Sequence, residues 1–125
     1  MPTAEADLRL RRISIKERNH EYYEAAQSCF ALYRESSDSA IIMRAFQNLL
    51  ASAWSASSAA EMNARLDELA ESIEAQADGL VLNGDDERLL HAVQLETEGW
   101  LAEPPDPNKF IEAVKILIAV HEVSH

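Results

Sequence analysis

Five residues at one end of the chain have the types and spacing of a catalytic metal site. His121-Glu122-Val123-Ser124-His125 places two imidazoles four residues apart, on one face if the segment is helical. Such a pair holds zinc, and the intervening glutamate acts as general base on a zinc-bound water. A catalytic zinc also needs a third protein ligand. Enzymes with this spacing supply it downstream, and no residue follows His125 in this sequence. The last turn of a helix frays, whereas metal ligands must be held tightly. The histidines also extend an apolar stripe of Phe110, Val114, Leu117 and Ile118, and the negative end of a helix dipole favours imidazoles there. The expectation is therefore two helix-end histidines and no metal. A metal-binding or zinc-dependent hydrolytic protein using His121 and His125 is the alternative.

A second metal chemistry is suggested by two Glu-x-x-His pairs, Glu17 with His20 and Glu122 with His125. Di-iron helical bundles combine two such pairs with an inward glutamate from each of two further helices. The apolar stripe Tyr22, Ala26, Cys29, Phe30 and Tyr33 puts Glu17 and His20 on the opposite, wet side. No Asp or Glu occurs from Ser39 to Ala60 to complete the set. Cys29, on that stripe, reads as a buried inert thiol rather than a nucleophile. His91 reads as a boundary residue, and Trp54 and Trp100 as core anchors rather than a ligand cage. Three glycines cannot furnish a phosphate loop. No cofactor is implied, and the enzyme reading is set aside.

Charge carries more information. The 125 residues have a net charge of −11, and residues 61–106 account for all of it, with thirteen acids against Arg65 and Arg88. The remaining nine acids and nine bases balance, and five of those bases (Arg9, Arg11, Arg12, Lys16 and Arg18) crowd into ten residues. The basic run lacks interleaved aromatics, and an acidic body repels a polyanion, so nucleic acid is disfavoured. A single cysteine forms no internal disulfide. The first residues lack the apolar run of a signal peptide. The apolar stretch Phe110–Val123 is interrupted by Glu112 and Lys115 and is too short to span a bilayer. No membrane association and a cytoplasmic location are expected.

The elements that position these residues read as helices. Ser14 with Glu17 forms a capping-box pattern that predicts a start near Ile15. Asp38 or a neighbouring serine caps a second helix, which carries Ile42, Ala45, Phe46, Leu49, Ala53 and Trp54 on one face. Ser58 with Glu61 starts a third, from about 59 to 78, with Met62, Leu66, Leu69, Ile73 and Ala77 inward. Asp85 caps a fourth, which weakens at Gly99, and Asp106-Pro107 opens a fifth. The segments "LVL" and "VKILIAV" lean towards strand composition, but the cap before the latter favours helix. Residues 1–13 read as a basic arm and 14–125 as a single all-α domain, a four- or five-helix antiparallel bundle.

The one-sided acidic segment is the feature with most to say about function. Like charges spaced i,i+4 destabilise the helix that bears them, so an acidic face beyond the needs of solvation suits a basic partner met by fast, salt-sensitive association. The candidate binding residues are Asp67, Glu68, Glu71, Glu74 and Asp78 on the third helix, with Asp85, Asp86 and Glu87 at the start of the fourth. The expected function is non-enzymatic: a small acidic protein that binds or inhibits a basic protein, in the manner of an inhibitor, immunity protein, antitoxin or chaperone. Self-association is a further alternative, because the fifth helix is apolar almost all round. Ile116, Ala119, Val120 and Val123 lie off its main stripe, so burial on several sides, centrally or in a homodimer, is expected.

Overall fold

Local capping chemistry starts three helices where the sequence predicts them. Asp38 Oδ1 accepts a hydrogen bond from the Ala40 amide at 3.0 Å, Ser58 Oγ from the Glu61 amide at 3.1 Å, and Asp106 Oδ1 from the Asn108 amide at 3.0 Å. Each satisfies a backbone donor that the first helical turn leaves unpaired. The computed structural model describes residues 4–77, 79, 84–102 and 106–124, without the side chains of residues 77 and 120–124. Among the described residues there are six helices: α1 Ala4–Arg18, α2 Tyr22–Ser36, α3 Ser39–Trp54, α4 Ala59–Ala77, α5 Gly84–Leu101 and α6 Pro107–Ser124. They hold 89% of those residues and leave no strand among them. "VKILIAV" is helical, whereas "LVL" lies outside the described residues.

Six helices replace the expected four or five because the segment read as a basic arm followed by a first helix folds as two helices, α1 and α2. From Ala4 onward the segment read as an arm is helix, and Ile13 is buried within it. The chain then turns at Asn19–Glu21 without glycine or proline. His20 adopts the left-handed conformation at φ 61°. The Glu21 amide donates to the Lys16 carbonyl at 2.8 Å and the His20 amide to the Glu17 carbonyl at 3.1 Å. These are the paired bonds of a Schellman stop. Ser14 and Glu17 therefore lie inside α1 and cap nothing.

Consecutive helices pack on one another, and α3 also reaches α5. Helices α1 and α2 run antiparallel: Arg9, early in α1, bonds Glu35 near the end of α2 at 2.6 Å, and Lys16 bonds Ser28 at 3.1 Å. The small residues Ala25, Ala26 and Cys29 are fully buried, which lets α2 lie close to α3 in the most extensive helix pair. Helix α3 is central. Ile42, Phe46 and Leu49 along it join Leu32, Leu69, Ile73 and Val93 in a core that draws on α1 to α5. Ala92, Leu95 and Ala113 form a smaller cluster with Ile116 and Leu117, and it fastens α6 to α5.

The faces of α6 differ from the expected stripe. Ala113 is buried and Ile116 and Leu117 are half-buried against α5, while Val114 and Ile118, read as core, are half exposed together with Ile111. A helix apolar all round offers several stripes, and its partner chooses among them. Trp54, read as a core anchor, is 54% exposed. It meets Trp100 edge-on at 5.0 Å, and Trp100 in turn meets Phe110 at 5.0 Å.

Gly99 is tightly crowded by the start of the α6 segment, and α5 runs through it to Leu101. A β-carbon there would lie 2.9 Å from the Phe110 ring and 3.3 Å from the Asp106 carbonyl oxygen. Alanine at an unhindered helix position stabilises by about 1 kcal/mol relative to glycine, whereas overpacking costs about 1–3 kcal/mol. Because the Asp106 backbone is part of the crowding, Gly99→Ala is expected to lower the urea midpoint, not raise it. A raised midpoint would show that the α5–α6 contact relaxes freely.

Candidate functional site

The acidic residues predicted as a binding site divide by surroundings. On α4, Asp67, Glu71 and Glu74 are exposed, because Leu66, Leu69 and Ile73 take the buried face. Glu68 does not belong to the wet face. It is half-buried, its Oε1 accepting from the Tyr23 hydroxyl at 3.2 Å and from the Gln27 amide at 3.3 Å. Burial, followed by the Glu68 charge, pushes the Tyr23 hydroxyl pKa up. Arg65 lies 3.7 Å above the Tyr23 ring, a cation–π contact, and also approaches Glu61 at 3.8 Å. Glu68 thus ties α4 to α2. Asp85 and Glu87 are exposed in the first turn of α5, where the helix dipole favours acids, and Asp86 is half-buried beside them. Asp78 lies outside the described residues, as do His125 and the side chains of His121 and Glu122.

None of Asp67, Glu71, Glu74, Asp85 and Glu87 has an ion-pair partner among the described residues. The ion pairs there are Arg9–Glu35, Arg44–Glu17, Arg65–Glu61 and Lys109–Glu98. Asp67 and Glu71 stand i,i+4 on α4, a spacing at which like charges repel. The outer side of α4 also borders a groove of about 300 Å³ against α2, with Glu68, Glu71 and Ser72 on one wall and Gln27, Phe30 and Arg34 on the other.

A polar cluster that periodicity misses lies between α1, α2 and α3. Arg44 forks onto the Glu17 carboxylate at 2.9 and 2.5 Å and donates to Ser14 Oγ at 3.0 Å. Asn48, itself buried, donates to the same carboxylate at 2.7 Å. Glu17, expected on the wet side, instead serves as the common acceptor. The signal was present: Arg44 is the one charged residue in the sixteen of α3, and an isolated charge on an apolar helix requires a partner.

The Arg44 hydrogen bond, opposed by burial and reinforced by Asn48, holds the Glu17 carboxyl below the usual glutamate range. Its stabilising contribution is complete above the ordinary pKa of about 4.3 and fades as the pH falls through the lowered value. Glu17→Ala is expected to cost about 2 kcal/mol at pH 7, because Arg44 and Asn48 lose a shared acceptor. That is less than the roughly 3–5 kcal/mol of a fully buried pair, since both partners retain about 30% exposure. Urea melts at pH 7 and on acidification check it: the gap between wild type and variant should narrow as Glu17 protonates.

Cys29 adjoins this cluster, 4.0 Å from the Asn48 amide. It is closed to solvent, and burial pushes its thiol up to about 11, which removes the thiolate needed for nucleophilic attack. No group of three or more metal-ligating side chains occurs among the described residues. No helix among them is long and apolar enough to cross a membrane.

The fold and its charge define the chain as a small all-helical acidic protein. No protein-family model, curated protein or solved structure matches it.

Proposed function

We propose that this chain is a small non-catalytic binding protein that docks on, and thereby shields or inhibits, a protein partner with a basic surface. The docking surface is the outer face of α4 with the first turn of α5: Asp67, Glu71, Glu74, Asp85 and Glu87, with Asp78 between the two helices in sequence. The observation that carries this reading is the absence of ion-pair partners for those five exposed acids among the described residues. Outside residues 61–106 the chain balances its charges. Here it concentrates one sign, at the cost of repulsion along α4. Such a surface draws in a basic partner over long range and rejects acidic ones. The test is capture from the native cell on immobilised wild-type protein beside the triple variant Asp67→Asn, Glu71→Gln, Glu74→Gln. A specific partner held by the wild type, released by moderate salt and missed by the variant supports the reading. Equal capture by both forms contradicts it.

A second reading, self-association, draws on α6. Ile111, Val114 and Ile118 are 52%, 50% and 53% exposed and recur at three and four along the side turned from α5. Sedimentation equilibrium of the wild type and Val114→Glu separates the two: a dimer lost in the variant would assign this ridge to a second copy.

A further inference from the structure

Helices α5 and α6 flank an open surface groove of about 410 Å³, lined by Glu87, Arg88 and His91 from α5 and by Lys115, Ile116 and Ala119 from α6. That volume falls within the range of small-molecule sites, which join an apolar wall to a few polar groups that fix the ligand's orientation. Ile116 and Ala119 supply the apolar wall, and the charged residues stand around it.

Two of those charges are unexpected in this chain. Arg88 is one of only two bases among residues 61–106. The other, Arg65, is engaged with Glu61 and the Tyr23 ring. The Arg88 side chain is exposed and has no hydrogen bond or ion pair among the described residues, and the same holds for the Lys115 side chain. A protein of net charge −11 thus brings two uncommitted cations to one open groove floored by Ile116 and Ala119. We propose that this pocket binds a small amphipathic anion, an aliphatic carboxylate, whose tail lies on Ile116 and Ala119 and whose head group is held by Arg88 and Lys115. His91 adds a hydrogen-bond donor at the rim, and Glu87 opposes the head-group charge. This site is separate from the α4 surface and shares only Glu87 with the proposed docking face.

Isothermal titration of the full chain with decanoate, decanol and inorganic phosphate tests the assignment. Decanoate is expected to bind with one site per chain, decanol about ten-fold more weakly, and phosphate not measurably, because the site needs both tail and head. Arg88→Gln and Lys115→Gln should each weaken decanoate by about ten-fold, the loss expected when a hydrogen bond to a charged group is removed. Glu87→Gln should tighten it. Ala119→Trp, which fills the groove from an exposed position, should abolish binding with an unchanged far-ultraviolet circular dichroism spectrum. Absent decanoate binding, equal affinity for decanol, or indifference to both Arg88→Gln and Ala119→Trp would overturn the proposal.

Discussion

Phe46→Ala is expected to lower the unfolding free energy by about 3–5 kcal/mol, the range for deleting a fully buried aromatic side chain. Phe46 has no exposed surface, is the largest fully buried side chain among the described residues, and meets the Phe30 ring edge-on at 6.1 Å. It sits midway along α3, the helix that α2, α4 and α5 all touch, so no single neighbour can move in to fill the cavity. Against a total stability of about 5–15 kcal/mol for a domain of this kind, the loss is large. It should appear as a fall of roughly 10–20 °C in thermal midpoint. Trp54→Ala provides the contrast. Half exposed, Trp54 contributes only part of the burial of a core aromatic, together with an edge-on contact with Trp100 worth about 0.5–1.5 kcal/mol beyond that burial, so its loss should cost clearly less. If the two substitutions cost the same in urea melts, the core is not centred on α3.

That contrast shows where the sequence was readable. The starts at Asp38, Ser58 and Asp106-Pro107 were legible because a cap depends only on residues within one turn of itself. Of the inward residues of α3, Ile42, Ala45, Phe46, Leu49 and Ala53 were legible from their helical spacing. Ile41, Met43, Asn48 and Ser52 are buried as well because several helices surround α3, and Trp54 at the helix end is not. The α1–α2 break was not, because a histidine occupies the left-handed position where glycine is the usual marker. The Ser14–Glu17 pair misled for a related reason. Its residue types suit a helix start, but Arg44, twenty-seven residues beyond Glu17, claims both side chains. The same long-range effect withdrew Glu68 from the candidate surface, since its partners Tyr23 and Gln27 lie on another helix. Periodicity reports which side of a helix is polar, and cannot report which polar groups a neighbouring helix engages.

The second large effect expected is kinetic. In the triple variant Asp67→Asn, Glu71→Gln, Glu74→Gln, the buried residues of α4 are untouched, so the fold should persist. Relief of repulsion between Asp67 and Glu71 should raise stability by a few tenths of a kcal/mol. Association with the basic partner at low salt should instead slow by about ten-fold or more, the lower end of the acceleration that a one-signed surface provides. Dissociation should change less, because exposed charges steer the encounter more than they hold the complex. Neutralising Glu68 belongs in a separate experiment, since it also breaks the tie between α4 and α2.

The most direct test of the acidic docking surface is the association rate of the captured partner with the wild type and the triple variant, measured by stopped flow across ionic strength. Steering decays over a screening length of about 10 Å at 0.1 M salt. The wild-type rate should therefore fall steeply with added salt, the variant should start low and stay nearly flat, and the two curves should converge at high salt. Two coincident curves would contradict the account: α4 would then carry its acids for solvation alone, and the exposed ridge of α6 would be left as the docking surface.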